Sequence, residues 1–246
     1  MSSKSQAGYG SKLKSSEDLM EIIPSLTKYN PIPDDIKTVN YTPFVVSVRT
    51  AMTPFNTAEG KLSKCQDETQ VIQDLIVGTT RKVRGALFEI YSGDETYQDY
   101  NHLIDLITGD NVSKNSAKRK AEAEANPPAD PNAPEKDFQS VSQQDRGSIY
   151  TFFTTLIDEL TIDTKYLPNE LELKPAGLKT LRDEFGAKLK ELGKLEGEFK
   201  AQEVIIKPLF YGPSSLHDRA ERAKVHIKRQ YGVNSIEYKS VTGKKY

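Results

Sequence analysis

Two stretches of this chain carry apolar residues at the spacing of a heptad repeat. In the second stretch, large apolar side chains recur at strict seven-residue intervals: Leu178, Phe185, Leu192, Phe199 and Ile206. Leu181 and Leu195 fill the matching second positions, and Lys188 is the exception. A helix with this pattern must bury one face against another element, so the spacing predicts a long helix packed in a bundle or coiled coil.

The first stretch keeps alternating steps of four and three from Phe44 to Ile90. Its seam comprises Phe44, Val48, Ala51, Phe55, Ala58, Leu62, Cys65, Thr69, Ile72, Ile76, Thr79, Val83, Ala86 and Ile90. Thr42-Pro43 predicts a helix start just before this seam, whereas Pro54 predicts a kink or a break. Because no Gly or Pro lies between Lys64 and Glu68, we favour one long helix from about Phe55 to Tyr91 over a hairpin.

The remaining pattern divides the chain into four parts. Residues 1–40 are predicted to form an arm and connector, which is disordered to Ser15 and has a short helix from Glu17 to Leu26. Residues 41–110 are predicted to form a first helical unit. Residues 111–136 are rich in proline and charge and predict a flexible linker. Residues 137–246 form a second helical unit, with a helix from Phe138 to Leu160 and a last helix that Ser214-Ser215 cap and that runs to Tyr231. Strand-like alternation is nearly absent, so we predict an all-α fold: an elongated four-helix bundle or helical hairpins.

Composition excludes several classes of protein. The net charge of −1 argues against nucleic-acid binding by the molecule as a whole. The first residues lack the apolar region of a secretory signal, and no run of apolar residues is long enough to span a membrane. We therefore expect a cytoplasmic protein.

Residues that carry catalysis are sparse. His102, His217 and His226 are the only histidines, and none has a neighbour at the spacing of a helical metal pair. Cys65 lies on the apolar seam, where a small buried side chain is the expected role. We predict no enzyme, no cofactor and no metal site.

Charge is uneven along the chain. The segment from Leu216 onwards is basic, whereas Gly93–Asp110 carries five acids and no base, and Asp158–Leu173 carries five acids against Lys165. Solvated surface is one interpretation, and complementary patches between copies of the protein is the other. The candidate assembly contacts are Arg222, Lys224, Lys228, Arg229, Tyr231, Tyr238, Lys244 and Lys245 on the basic side, and Asp94, Glu95, Asp99 and Asp105 on the acidic side.

One helix ending recurs loosely in the sequence, and duplication of a helical unit and coincidence are the two interpretations. A basic helix reaches Tyr231-Gly232 and then Tyr238, and Tyr91, Gly93 and Tyr97 repeat this order more loosely. The ending "YGVNSIEYKSVTGKKY" resembles the tail of uncharacterised helical proteins of bacteria, in which a basic helix runs into Tyr-Gly-x-Asn-Ser-x-Glu-Tyr. The resemblance implies a bacterial helical bundle and no activity.

These observations favour a structural or scaffolding protein that associates with itself into a filament, ring or lattice. The alternative is a cytosolic adaptor that binds another protein or nucleic acid through its basic C-terminal helix.

Overall fold

The computed structural model describes residues 4–110 and 145–242 of the 246-residue chain. Within these ranges all regular structure is helical, which confirms the all-α class. The helices are α1 (Lys4–Ile22), α2 (Thr38–Tyr91), α3 (Glu95–Thr108), α4 (Arg146–Ile162), α5 (Pro175–Phe210), α6 (Leu216–Tyr231) and α7 (Ile236–Val241), with 3₁₀ turns at Ile23–Ser25 and Asp34–Ile36. The linker predicted at 111–136 lies outside the described residues.

Helix α1 corrects the prediction for the N-terminal region. A single helix spans Lys4–Ile22, where the sequence suggested a disordered arm up to Ser15 and a short helix after it. The reason is tertiary: the ring of Tyr9 is buried and packs 4.7 Å from Phe210 and 5.9 Å from Phe55. Burial against residues far along the chain overrides a weak local preference.

Helix α2 is continuous, as we favoured for Phe55–Tyr91, and Pro54 does not divide it. Its start is at Thr38, however, and not after Pro43 as predicted. The Lys37 carbonyl accepts from the backbone N–H of Tyr41 at 2.8 Å, and the side chain of Tyr41 is buried. The core contact of Tyr41 thus extends the helix past the expected cap.

The described residues form two compact units. Unit 1 contains those up to Ser63 and from Lys194 onwards, and unit 2 contains those between Lys64 and Gly193. Helices α2 and α5 each contribute to both units. The division into residues 1–40, 41–110, 111–136 and 137–246 stays a prediction.

The core of unit 1 is built by α1, α2, α5, α6 and α7. Its fully buried side chains come from all five helices and include Leu19, Tyr41, Phe55, Phe210, Ile227 and Val241. Ser215 caps α6 as predicted, because its hydroxyl accepts from the N–H of Asp218. The short helix α7 was missed, since the sequence was interpreted as a polar tail; its Val241 is buried in this core.

The core of unit 2 is built by α2, α3, α4 and α5. Its buried side chains include Ile76, Leu87, Ile104, Phe153, Leu156 and Phe185. Lys188, the exception in the heptad pattern, donates to Glu68 of α2 at 2.7 Å and to Glu191 at 2.8 Å. Bonds to Glu191 and Glu68 raise the pKa of Lys188, so the one charge in the seam is partnered.

Two glycines of α5 are needed for packing in unit 2. A Cβ at Gly177 would lie 2.4 Å from the carbonyl oxygen of Leu171, so only glycine fits where the connector 163–174 meets the helix. A Cβ at Gly186 would lie 3.0 Å from the ring of Tyr150. Gly186 therefore lets an α4 side chain approach the α5 backbone closely.

Candidate functional site

The two acidic stretches of the sequence meet on unit 2. Helix α3 packs directly on α4, which brings Gly93–Asp110 together with the start of Asp158–Leu173. A groove of about 470 Å³ opens where they meet, and we call it the acidic groove. It is lined by Tyr91, Thr96, Asp99, Tyr100, Glu159, Ile162 and Asp163.

Asp163 is the centre of a hydrogen-bond cluster in this groove. The hydroxyl of Tyr91 donates to its carboxylate at 2.7 Å, the hydroxyl of Tyr100 at 3.0 Å, and the N–H of Lys165 at 2.9 Å. Burial alone would raise the pKa of Asp163, but these bonds outweigh it and hold the pKa below its usual range. Burial and then the carboxylate of Asp163 raise the pKa of Tyr91 to about 12. Asp163 is therefore a fixed negative charge.

Glu159 is a partly buried acid of the groove, beside Asp99. Burial and the neighbouring charge of Asp99 raise its pKa. A cationic group placed in the groove would relieve this repulsion, because it stabilises the ionised form of both acids. The arrangement can thus attract a basic side chain, and Tyr91, Thr96 and the exposed Ile162 supply contact surface beside the charges.

The other predicted acidic contacts differ in their exposure and in their structural roles. Asp94 caps α3 by accepting from the N–H of Thr96 at 3.0 Å, and it remains exposed, as does Glu95. Asp105 is only 7% exposed and accepts from Arg84 at 2.5 Å, so it joins α3 to α2. Of the four candidate acids, Asp94, Glu95 and Asp99 face solvent.

On the basic side, Arg222 and Lys224 have partners within unit 1. Arg222 forms a two-pronged ion pair with Asp35 and a second pair with Asp218 at 2.8 Å. The hydrogen bond from Arg222 holds the pKa of Asp35 below its usual range. Lys224 donates to Glu221 at 2.9 Å. The Arg222–Asp35 pair fixes α6 on the segment that precedes α2, whereas the pairs with Asp218 and Glu221 lie within α6.

Lys228, Arg229, Tyr231 and Tyr238 lie at the end of α6 and the start of α7. Lys228 and Arg229 are exposed, and the Lys228 ammonium lies 6.0 Å from the centre of the Tyr238 ring. The Tyr231 hydroxyl accepts from the N–H of Lys28 at 2.6 Å. The structure therefore places two exposed cations and two partly buried tyrosines together, while Lys244 and Lys245 lie outside the described residues.

His226 is the one histidine in a buried setting. Its ring packs edge-on against Tyr29, with 5.2 Å between centroids, and its Nδ1 lies 3.3 Å from Arg229 Nη2. Burial, and then the charge of Arg229, lower the pKa of His226. Across residues 4–110 and 145–242, no three His, Cys, Asp or Glu side chains come together as metal ligands.

Sequence reasoning missed Tyr91, Tyr100, Glu159 and Asp163 as members of one site. The acidity of both stretches was visible, but their meeting depends on the contact between α3 and α4, which no local pattern encodes. In the described part of the chain, no helix combines the length and the apolar character needed to cross a bilayer. No protein-family model, curated protein or solved structure matches this chain.

Proposed function

We propose that the protein is a structural or scaffolding protein that associates with itself, with the basic surface around the end of α6 docking on the acidic groove of another copy. The observation that carries the proposal is the convergence of two separate acidic stretches on one face of unit 2. An acidic face and an exposed basic surface in the same chain are complementary between copies.

The two surfaces differ within one molecule, so the contact is heterologous. A heterologous contact makes a ring when the rotation between copies closes and a filament when it does not. Lys228 and Arg229 are the described cations offered to the groove, and Lys244 and Lys245 extend the basic sequence beyond the described residues. Arg222 supports this surface indirectly, since its pair with Asp35 fixes the position of α6, whereas Lys224 pairs with Glu221 of the same helix.

A charge-swap experiment tests the proposal. One variant carries Lys228→Glu and Arg229→Glu, a second carries Glu95→Lys and Asp99→Lys, and a third carries all four changes. We expect each two-residue variant to lose association in light scattering and the four-residue variant to regain it, because the swap restores opposite charges.

The control is Lys200→Glu with Lys207→Glu, which makes the same change in net charge at exposed positions of α5. This control should associate like the unmodified protein. If it dissociates equally, or if the four-residue variant fails to recover, docking through the acidic groove is wrong. Association should also weaken with added salt, since exposed charges are screened over about 10 Å at 0.1 M.

The second candidate is an adaptor that binds another protein or nucleic acid through α6 and α7. The exposed aliphatic residues Val225, Val233 and Ile236 accompany Lys228 and Arg229 and favour it, because such a mixed surface suits an acidic protein partner. A protein that stays monomeric at high concentration, yet binds an acidic peptide or a duplex oligonucleotide in a titration, would support the adaptor over the scaffold.

A further inference from the structure

Helix α2 has a second face in unit 2, which is exposed to solvent, whereas its seam is buried. Its members recur at three- and four-residue steps and therefore share one side of the helix: Val71, Asp74, Leu75, Gly78, Arg81, Lys82 and Gly85. Val71 is 68% exposed and Leu75 is 54% exposed. A Cβ at Gly78 or Gly85 would meet no atom outside the local helix within 4 Å in the described part of the chain. We call this surface the Gly78 face.

We propose that two copies of the protein pack the Gly78 faces of their α2 helices together, antiparallel, with Gly78 at the two-fold axis. The inference rests on the self-association proposed above and gives it a second, isologous contact. Glycine at the axis allows the two backbones to approach closely, because there is no side chain to separate them.

The order of charges on the Gly78 face selects the antiparallel arrangement. Asp74 lies four residues before Gly78 (78 − 74 = 4), and Arg81 and Lys82 lie three and four residues after it. In an antiparallel pair, Asp74 of each copy approaches Arg81 and Lys82 of the other. A parallel pair would instead place Asp74 beside Asp74 and Lys82 beside Lys82, which is repulsive.

The apolar residues on the Gly78 face follow the same symmetry. Val71 lies seven residues before Gly78 (78 − 71 = 7) and Gly85 lies seven residues after it (85 − 78 = 7). In the antiparallel pair, the side chain of Val71 therefore lies over Gly85 of the other copy, where a side chain is missing. Each Val71 removes its exposed surface from water, which favours association.

The surface around Gly85 is shaped to receive such a side chain. A groove of about 500 Å³ lies there, lined by Gly85, Ala86, Leu167 and Pro168 and also by charged residues of both signs, among them Lys82, Lys165 and Glu172. Leu167 is 80% exposed, so it offers an aliphatic contact that nothing in the described chain uses fully. Val71 of the second copy would fill part of this groove.

The ion pairs already present on the Gly78 face are weak ones. Lys82 Nζ lies 3.6 Å from Glu172 and Arg81 Nη2 lies 3.4 Å from the partly buried Asp110, while Asp74 accepts a hydrogen bond from the neutral Gln70 at 2.9 Å. The side chains of Asp74, Arg81 and Lys82 themselves are exposed. Exposed pairs of this kind contribute little to stability. Their side chains can turn to a second copy at small cost.

Disulfide cross-linking tests the position of the axis. Cys65 is the only cysteine, so Cys65→Ala leaves the introduced thiol alone in the chain. Gly78→Cys in this background should give a covalent dimer under mild oxidation, because both thiols lie at the axis. Thr57→Cys is the control: it is exposed on the same helix, but two copies of residue 57 would lie about 60 Å apart at 1.5 Å per residue.

Charge complementation tests whether the Gly78 faces are in contact, without relying on one variant. Asp74→Lys in one chain and Arg81→Glu with Lys82→Glu in another should each weaken self-association at least tenfold. Mixing the two chains should restore association, because every contact in the mixed pair again joins opposite charges. Circular dichroism checks that each variant keeps its helix content.

The outcomes separate this inference from the proposed function. If the unmodified protein associates, but Gly78→Cys cross-links no faster than Thr57→Cys and mixing restores nothing, the α2 contact is wrong and docking through the acidic groove stands. If cross-linking and mixing behave as expected while the Lys228 and Arg229 variant has no effect, the α2 contact stands and the groove proposal falls. A protein that is monomeric in every assay overturns both.

Discussion

Helix α2 ends at Tyr91 and helix α6 ends at Tyr231, and each end leads through a glycine with positive φ into another helix. Gly93 has φ +87° and Gly232 has φ +89°. Asp94 caps the next helix after the first ending, and Ser235 does so after the second. The second ending is one residue longer than the first, and the extra residue lies in the loop. The cap follows the tyrosine by three residues in the first ending (94 − 91) and by four in the second (235 − 231).

Beyond the cap, the two endings share a further tyrosine at the same helical position. Tyr97 lies three residues after Asp94, and Tyr238 lies three residues after Ser235. The local geometry thus supports the repeated helix ending inferred from the sequence. The two endings differ in the residues around them, and these residues determine the role of each ending.

The first ending contributes to the acidic groove, where Tyr91 donates its hydroxyl proton to Asp163. At the second ending, the Tyr231 hydroxyl accepts a proton from the backbone of Lys28 and forms part of a basic surface. Glu95 and Asp99 follow the first turn, whereas Lys228 and Arg229 precede the second turn and Glu237 and Lys239 follow it. The comparison teaches that one backbone motif can present opposite charges, which is what a head-to-tail contact requires.

The largest expected effect comes from removing the hydrogen-bond acceptor at the first ending. Asp163→Ala should lower the free energy of unfolding by about 1–3 kcal/mol, because the partly buried hydroxyls of Tyr91 and Tyr100 lose their partner. Tyr231→Phe should change it by less than about 0.5 kcal/mol, since the N–H of Lys28 is exposed and can bond to water. Urea unfolding followed by circular dichroism measures both.

Asp163→Asn is the matched control for this comparison, because it keeps an acceptor oxygen and should cost less than Asp163→Ala. Equal losses for Asp163→Ala and Tyr231→Phe would show that the two endings do not differ in burial as described.

The glycines of the two endings should respond unequally to substitution. Gly232 has φ +89° and ψ 159°, a region that is essentially restricted to glycine, so Gly232→Ala should destabilise the protein by about 1–2 kcal/mol. Gly93→Ala should cost about 1 kcal/mol for its positive φ. Thermal unfolding ranks the two variants.

Gly10→Ala controls for the general effect of removing glycine. Gly10 is exposed in the interior of α1, and a methyl group there would meet no described atom beyond its own stretch of helix within 4 Å. This change should therefore stabilise the helix by up to about 1 kcal/mol. A larger loss at Gly93 than at Gly232 would contradict the backbone description of the second ending.

The smallest expected effect is a dependence on pH that belongs to unit 1. The pKa of His226 is lowered in the folded protein, so the unfolded chain takes up a proton first as the pH falls. Stability should therefore decrease below about pH 6.5 and level off once the pH is below the folded pKa. Hydrogen exchange measures this effect: between pH 7 and pH 5.5, the opening of unit 1 should increase more than the opening of unit 2.

His226→Gln should remove that dependence while leaving unit 2 unchanged. An equal response to pH in both units, or one that persists in His226→Gln, would assign the effect to other groups.

The parts that the sequence predicted are those with strong local signals. Seven-residue spacing places Leu178, Phe185 and Ile206 on a buried face of α5, and Ser215 is a typical cap for α6. These features depend on residues close together in the chain, so pattern alone was sufficient.

The parts that the sequence did not predict depend on distant contacts. Helix α1 has a polar sequence and is held by the packing of Tyr9 on Phe55 and Phe210. Arg222 was expected at an assembly surface without any sign of its pairing with Asp35, 187 residues away. The acidic groove likewise needed the contact between α3 and α4, which only the fold supplies.

Sedimentation velocity of the full chain, across a range of protein and salt concentrations, tests self-association most directly. We expect species heavier than 27.6 kDa at low salt, their fraction rising with protein concentration and falling as salt increases. A single 27.6 kDa species at every concentration and every salt condition would contradict the scaffold proposal and favour the adaptor.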